Sequence, residues 1–304
     1  MKESLTKYID PGIIHFMIYP DTISGEGPVY ETLKNIAVDD FFQAVEITWI
    51  KDQKQKEKVK KMLKTSHMKV YYGAQPRLLT QDLDLNSSSE EERKKAVATI
   101  KEGVDEAVEL GAEAIAFLSG KNVTADKRKE ATDRLIASIN EICQYAKEKD
   151  EDLGVTLEVF DYDIDKKALV GPAEIAREVA QEVRKDHNNF GLMADLSHLP
   201  LLHEGPEASL LPIKEYLVHV HIGNCILDES HPAYGDSHPR FGLKAGENDT
   251  EEVIEFLKVL MDIGYLDGRE AKTVSFEVSP LEGESSAVVM ANAKRVLKKA
   301  WAQL

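Results

Sequence analysis

The chain alternates between short apolar segments and longer segments in which apolar residues recur every three or four positions. Apolar runs of this length, rich in Val, Ile, Phe and Tyr, are typical of strands buried on both faces of a parallel sheet. The eight predicted strands are 13–19, 43–50, 68–74, 112–118, 154–160, 190–196, 217–223 and 273–279.

The segments between these strands predict helices. In 88–111, the residues Val97, Ile100 and Val104 recur at helical spacing, and Gly111 is a typical helix end. Further helices are predicted at 51–66, 125–148, 172–186, 249–263 and 284–302, with weaker patterns near 28–37 and 206–216.

Eight strand–helix units in one chain predict an α/β fold of the (β/α)₈ TIM-barrel type. No linker divides the sequence, so residues 1–304 are expected to form a single domain. An open doubly wound sheet is the alternative, although no GxGxxG motif follows the first strand. A long loop, 224–248, follows strand seven, and a loop of this length is usually functional or disordered.

Charged residues interrupt the ends of four consecutive apolar strands: Glu158, Asp195, His221 and Glu277. Burying such groups costs several kcal/mol unless they are paired or bind a metal. The carboxyl ends of barrel strands meet at one face, where catalytic residues lie. Three carboxylates and one imidazole there predict a divalent cation, with manganese, magnesium or cobalt favoured by the mostly oxygen donors.

Two further polar residues are candidates to line the same pocket. His15 lies on predicted strand one and Glu46 on predicted strand two. His219 shares one side of strand seven with His221 but lies one layer deeper, because side chains alternate along a strand.

Four short motifs carry a family resemblance: LEVF around Glu158, DLSH at 195–198, HVHIGN around His221 and SFEV around Glu277. With them, nearly the whole chain resembles the sugar phosphate isomerase/epimerase family, which shares the xylose-isomerase-like TIM barrel. The resemblance implies that the matching Glu, Asp, His and Glu hold one divalent metal ion. Mn²⁺ is the expected ion, and Mg²⁺, Co²⁺ and Zn²⁺ are alternatives.

The resemblance also implies a reaction. Glu158 and Glu277 flank the substrate carbon as the catalytic residues and transfer a proton next to a carbonyl, through an enediolate held by the metal. His198 is expected to touch substrate oxygens. The expected activity is therefore a metal-dependent sugar isomerase or epimerase.

The loop after strand seven departs from this family pattern. The arginine usually found six residues after the strand-seven histidine is Leu227, which leaves Arg240 to grip a ketose terminus. A lyase or dehydratase that cleaves a 3-oxo-glycoside, C-glycosides included, or an inosose therefore stays open. A non-catalytic sugar-binding barrel is a third possibility.

Asp236 and His238 form a DxH pair in this loop, which resembles a segment of the zinc-dependent abasic-site endonucleases on the same fold. There the pair, with the equivalent of His198, holds an additional metal. The alternative is that Asp236 and His238 bind substrate or order the loop. Strands three and four lack the histidines that the endonucleases need.

Composition narrows the partners. The net charge of −16 opposes nucleic acid and anionic membranes. No apolar run approaches the ~18 residues of a membrane span. Two cysteines and no apolar leader suggest a reduced, cytoplasmic setting. The expected partner is a sugar or glycoside, preferably without phosphate because Glu282 and Glu284 flank the expected phosphate position, with a homo-oligomer or an accessory subunit left open.

Overall fold

Parallel strands and helices alternate along residues 3–304, the part of the chain that the computed structural model describes. The strands are β1 Ile9–Ile13, β2 Ala44–Ile47, β3 Lys69–Gly73, β4 Ala114–Leu118, β5 Gly154–Glu158, β6 Phe190–Asp195, β7 Leu217–Gly223 and β8 Lys272–Glu277. The helices are α1 His15–Ile18, α2 Val29–Ala37, α3 Gln53–Ser66, α4 Gln75–Leu79, α5 Glu90–Leu110, α6 Arg128–Lys149, α7 Ala173–Val183, α8 His198–Leu201, α9 Pro206–Leu210, α10 Thr250–Asp262 and α11 Ser286–Gln303. Short 3₁₀ helices lie at Leu5–Lys7, Pro20–Thr22 and Ala125–Lys127.

The eight strands form one parallel sheet in the order β1-β8-β7-β6-β5-β4-β3-β2. Two contacts close the seam between β1 and β2. The Gln43 backbone N–H donates to the Pro11 carbonyl at 2.8 Å, and Ile14 and Glu46 form a parallel bridge. These contacts confirm the predicted (β/α)₈ barrel; that residues 1–304 form one domain stays a prediction.

The predicted first strand, 13–19, is wrong. Residues Ile9–Ile13 form β1, and His15–Ile18 form the short helix α1 above it. A short apolar run such as 13–19 does not distinguish a strand from a buried helical segment. Gly12 is required where it lies, because a Cβ atom there would come within 2.3 Å of the Ser275 side-chain oxygen on β8.

The long helices follow the sequence pattern closely, whereas α4 and α8 were not predicted and α9 ends at Leu210, short of the predicted 206–216. Ser89 caps α5 by accepting the Glu92 backbone N–H, and Gly111 ends the helix in the left-handed conformation at φ 74°. Asp249 and Glu252 form a capping box at the start of α10. These ends fix where each barrel helix begins and stops relative to its strand.

A buried ion cluster joins α4 and α5 beside β3. The Glu106 carboxylate accepts hydrogen bonds from Tyr72 at 2.7 Å and from Arg77 at 2.6 Å. It also pairs with Lys56 at 2.7 Å and accepts the Ile50 backbone N–H at 3.1 Å. All of the negative charge on Glu106 is thus compensated inside the protein.

The long loop after β7 is anchored at both ends. The Asn248 side chain donates to the carbonyls of Leu196 and Gly223, both at 3.1 Å. Its backbone N–H donates to Asn224 at 2.8 Å. The loop is therefore held against the carboxyl ends of β6 and β7.

The structure also bears on the two cysteines and on membrane-spanning segments. Cys143 and Cys225 are both buried free thiols. Within residues 3–304, every helix is too short or too polar to cross a membrane.

Candidate metal centre and substrate cavity

Strand register brings the four charged strand-end residues to one face of the barrel. Glu158 and Asp195 are the last residues of β5 and β6, and Glu277 is the last residue of β8. In β7, His221 lies opposite Asp195, and Gly223 lies opposite Glu277. Gly223 has no room for a side chain, because a Cβ atom there would be 2.5 Å from the Glu277 carbonyl oxygen.

The four side chains converge on the Nδ1 atom of His221. This nitrogen lies 2.7 Å from Glu277 Oε2, 3.6 Å from Glu158 Oε1 and 3.8 Å from Asp195 Oδ2. One ligand atom from each of the four residues lies within 4.8 Å of every other, and all four residues are buried. The arrangement therefore offers three carboxylate oxygens and one imidazole nitrogen to a common point.

Unpaired buried atoms show that this donor set fits a cation. Glu158 Oε1 and Asp195 Oδ2 have no hydrogen-bond partner, although burying an unpaired oxygen is costly. The other oxygens of both residues are occupied: Gln75 donates to Glu158 Oε2 at 2.7 Å, and the Ser197 N–H donates to Asp195 Oδ1 at 2.6 Å. Burial, together with the nearby Glu277 charge, raises the pKa of Asp195 to about 6. A divalent ion would compensate these charges.

Glu46 supports His221 from below. Its carboxylate oxygens lie 3.1 Å from His221 Nε2, and one of them also accepts from His219 Nε2 at 2.8 Å. Burial alone would raise the pKa of Glu46, but the charges of His221 and His219 lower it well below its usual range. An ionised Glu46 accepts the Nε2 proton of His221 and leaves Nδ1 as the free donor atom.

A second cluster lies beside the first. His198 Nδ1 is 2.8 Å from the Val159 carbonyl, which can only accept, so Nδ1 carries the proton. His198 Nε2 is then 3.2 Å from Asp236 Oδ1, and His238 Nε2 is 2.9 Å from the same oxygen. The loop residues Asp236 and His238 therefore do meet His198, as the DxH pattern suggested.

His238 adopts a rare backbone conformation. Its φ of 49° is left-handed, which is uncommon for a residue other than glycine and often marks a functional site. The His238 carbonyl accepts the Ser279 N–H at 2.7 Å, which fixes the residue against the end of β8. Burial alone would lower the pKa of His238, but the charges of Asp236 and Glu277 raise it to about 9.

A cavity of about 230 Å³ opens next to both clusters. Its polar lining contains the charged groups of the two clusters other than Asp195 and His198, together with Glu46 and Gln75, and it includes one ammonium group, that of Lys166. The rest of the lining is apolar and forms the apolar wall, made mostly of side chains that follow β1 or lie on α4. The lining residues are Ile14, Phe16, Met17, Ile23, Glu46, Gln75, Pro76, Leu79, Glu158, Phe160, Lys166, His221, Asp236, His238 and Glu277.

Three predicted pocket residues do not line this cavity: His198, whose place in the second cluster is given above, and the two described next. His15 lies on α1 rather than on a strand, where its Nε2 is 2.8 Å from the Thr32 hydroxyl; burial lowers its pKa to about 3. Arg240 pairs with Glu284 at 2.7 Å, so its guanidinium does not take the position expected for gripping a sugar. Both outcomes follow from local partners that the sequence pattern does not reveal.

Sequence reasoning missed three parts of the site: Gln75, Lys166 and the apolar wall. Gln75 follows the end of β3, so the rule that barrel sites lie at strand ends would have found it. Lys166 lies in a strongly charged loop, and Phe16 lies in the segment wrongly predicted as strand one. No sequence signal separates these two from ordinary surface and core residues.

The family model for the xylose isomerase-like TIM barrel matches residues 37–272 of the chain. The match covers well over half of the sequence, and the chain belongs to this family. No curated protein matches it in sequence.

Solved structures share the fold at low identity. A D-tagatose 3-epimerase-like protein is 18% identical with a TM-score of 0.70, covering 97% of this chain and 99% of its own. The 3-keto-D-glucoside 4-epimerase from E. coli is 15% identical with a TM-score of 0.66, at 95% and 99% coverage. The IOLI protein, whose structure contains zinc, is 14% identical with a TM-score of 0.72, at 97% and 99% coverage. At these identities the likeness establishes the barrel fold.

Proposed function

We propose that the protein is a divalent-metal-dependent sugar isomerase or epimerase. The observation that carries the proposal is the position of two glutamates. Glu158 and Glu277 both belong to the four-residue cluster and both line the cavity. A substrate carbon held between them would have a carboxylate available for removing a proton and a second one for returning it.

The two glutamates have different neighbours. Gln75 holds Glu158 by one oxygen and leaves the other unpaired, which suits a base. Glu277 instead lies 2.7 Å from His221 and 3.3 Å from His238, so it is the glutamate flanked by two buried imidazoles. Proton return to the opposite face gives an epimer, and return to the neighbouring carbon gives an aldose–ketose isomer.

Glu158, Asp195, His221 and Glu277 would hold the metal, which when bound polarises the substrate carbonyl and lowers the pKa of the adjacent C–H group. Three carboxylates and one imidazole suit Mn²⁺, with Mg²⁺, Co²⁺ and Zn²⁺ as alternatives. The zinc in the structure of the IOLI protein keeps Zn²⁺ in the set to be tested.

A lyase acting on a 3-oxo-glycoside is the second candidate, and the apolar wall is the observation that favours it. Phe16, Met17, Ile23 and Leu79 line the same cavity as the carboxylates. A free sugar has little apolar surface to bury there, whereas a glycoside can place its non-sugar part on this wall. A relative in fold is described as a 3-keto-D-glucoside 4-epimerase, so 3-keto-glucosides belong among the substrates to test.

The test is proton exchange in heavy water with Mn²⁺ present, across D-tagatose, L-ribulose, inososes and 3-keto-glucosides. We expect deuterium at the carbon next to the carbonyl of at least one sugar. Appearance of an epimer or isomer supports the first candidate, and release of the group attached to the sugar supports the second. A metal-loaded enzyme that exchanges no proton on any of these sugars contradicts both.

We propose a neutral sugar or glycoside as the partner, because the cavity lining contains four carboxylates and one ammonium. A cytoplasmic location and a homo-oligomer or accessory subunit stay predictions.

A further inference from the structure

Lys166 lies on the loop between β5 and α7, and this loop is rigidly built. The buried Asp161 carboxylate accepts the backbone N–H groups of Ile164, Asp165 and Lys166 at 2.9, 2.8 and 2.8 Å. Three backbone donors on one carboxylate fix the turn from inside. The position of the Lys166 side chain is therefore set by the fold and not by chance packing on a free surface.

The Lys166 ammonium sits between two carboxylates at the cavity. Its Nζ atom lies 2.8 Å from Asp165 Oδ2 and 3.0 Å from Asp236 Oδ2. Asp165 Oδ2 also accepts the Asp236 backbone N–H at 3.1 Å, which ties this loop to the loop after β7. An ammonium has three N–H donors. One is hydrogen-bonded to Asp165, and the ion pair with Asp236 occupies at most a second, so at least one is left for a molecule in the cavity that Lys166 lines.

The same ammonium changes what the second cluster can bind. Asp236 presents Oδ1 to His198 and His238 and Oδ2 to Lys166. Two imidazoles and a carboxylate are common ligands of a divalent ion. A divalent ion on Asp236 would, however, lie close to a positive charge that the fold holds in place, and the two would repel each other.

We propose that Lys166 is the fixed cation of this cavity: its ammonium takes the place of a second divalent ion beside Asp236 and donates a hydrogen bond to a substrate oxygen. The substrate role rests on the sugar chemistry proposed above. The bound oxygen would belong to a hydroxyl or carbonyl group away from the four-residue cluster. Lys166 is thereby a substrate-binding residue that supplies a positive charge to the cavity. Leu227 carries no charge, and the charge of Arg240 is paired with Glu284.

Metal stoichiometry tests the first half of the proposal without any substrate. Co²⁺ and Mn²⁺ are titrated into wild type, Lys166→Met and the exposed neighbour control Lys167→Met, with elemental analysis and the Co²⁺ absorption spectrum as readouts. We expect one ion in wild type and in Lys167→Met, and a second ion in Lys166→Met that disappears in the Lys166→Met/Asp236→Asn double variant. Two ions in wild type, or one ion in a folded Lys166→Met, overturn the assignment. Lys166→Gln serves in the same test if the Met variant does not fold.

Kinetics test the second half. Lys166→Ala should lower kcat/KM for proton exchange by about 10²-fold, as removal of one preorganised donor usually does. Added ethylammonium should restore at least a tenth of the lost activity, whereas Lys167→Ala should behave as wild type. Activity within threefold of wild type, or a loss that ethylammonium does not relieve at full metal occupancy, overturns the substrate role. If wild type exchanges no proton on any sugar, the proposed function is contradicted instead. The metal titration then decides by itself whether Lys166 takes the place of a second ion.

Discussion

Glu46 holds His221 by Nε2, at 3.1 Å, and so turns Nδ1 of the same ring toward Glu158, Asp195 and Glu277. Glu46 on β2 thus determines which ring nitrogen of His221 on β7 is free to bind a metal. Ligand-orienting carboxylates of this kind typically change metal affinity 10–100-fold when they are removed. Glu46 also lines the cavity, as its strand position suggested, and its contacts with His221 assign it a positioning role.

Substitution of Glu46 tests this role. Glu46→Gln keeps the shape but removes the charge that accepts from His221 and His219, so we expect metal affinity to fall about 10–100-fold. Calorimetric titration with Mn²⁺ measures the change. Glu113→Gln, which loses a carboxylate that accepts from Tyr71 at 3.1 Å and lies outside the cavity lining, is the control. Equal Mn²⁺ affinity in Glu46→Gln and wild type would show that other contacts orient His221.

Removal of the metal should destabilise the protein. The buried cluster concentrates three carboxylates, and an ion that binds only the folded state adds stability as its concentration rises above Kd. At a 100-fold excess over Kd the gain is about 2.7 kcal/mol, so treatment with a chelator should lower Tm measurably. Differential scanning calorimetry before and after chelation, with Mn²⁺ added back as the control, gives the answer. An unchanged Tm and unchanged activity would contradict a metal site.

The two glutamates in the cavity carry the expected chemistry. Glu158→Gln and Glu277→Gln should each reduce turnover by at least about 10²-fold, because a glutamine cannot accept the proton. Metal content is measured on the same samples, since both residues also belong to the donor set. Glu282→Gln, on the exposed loop after β8, is the control. Near-wild-type turnover of either variant with metal bound rules out that glutamate as a proton carrier.

His238 separates the two candidate activities. Its imidazole lies 2.9 Å from Asp236 and lines the cavity, where it can give a proton to a departing group. His238→Ala should slow release of the group attached to a 3-keto-glucoside while metal content and proton exchange at carbon are kept. His231→Ala, in the same loop but outside the cavity lining, is the control. If His238→Ala slows both reactions equally, or slows neither, an isomerase or epimerase is favoured over a lyase.

Glu106 should matter for stability and not for chemistry. Glu106→Gln leaves the buried Arg77 without its 2.6 Å partner, so the free energy of unfolding should fall by about 3–5 kcal/mol at pH 7. Glu102→Gln removes a carboxylate 3.6 Å from the same arginine, but Glu102 is 73% exposed, and we expect a change below about 1 kcal/mol. Urea unfolding measures both. A loss for Glu106→Gln as small as that for Glu102→Gln would mean that the cluster contributes nothing net.

The same pair of variants has a pH signature. Burial alone would raise the pKa of Glu106, but its bonds to Lys56 and Tyr72 lower it below the ordinary 4.5. A lowered pKa in the folded state gives stability that is present above the ordinary value and lost as pH falls through the folded one. The difference in the free energy of unfolding between wild type and Glu106→Gln should therefore decrease only below about pH 4.5.

The barrel was predictable because eight buried parallel strands leave a repeated apolar texture, and the cluster was predictable because charges at strand ends break it. Strand one was not predictable, since β1 contains Pro11 and Gly12, residue types that are rare inside strands. The partners of His15 and Arg240 depend on where α2 and the β8 loop come to lie. Lys166 reaches the cavity only because Asp161 folds its loop, a contact that no spacing rule contains.

The apolar wall and the donor set come from different parts of the chain. Ile14, Phe16, Met17, Ile23 and Leu79 lie within the first 79 residues, whereas the four converging ligands lie between Glu158 and Glu277. Under the proposed function, different parts of the chain would recognise the non-sugar part of a substrate and hold the metal. Under the proposed function, changes near the amino terminus would alter which molecules the barrel accepts while the four ligands stay in place. A library confined to residues 14–23 and 76–79 spares Gln75 and its 2.7 Å bond to Glu158, and it is the direct route to new substrates.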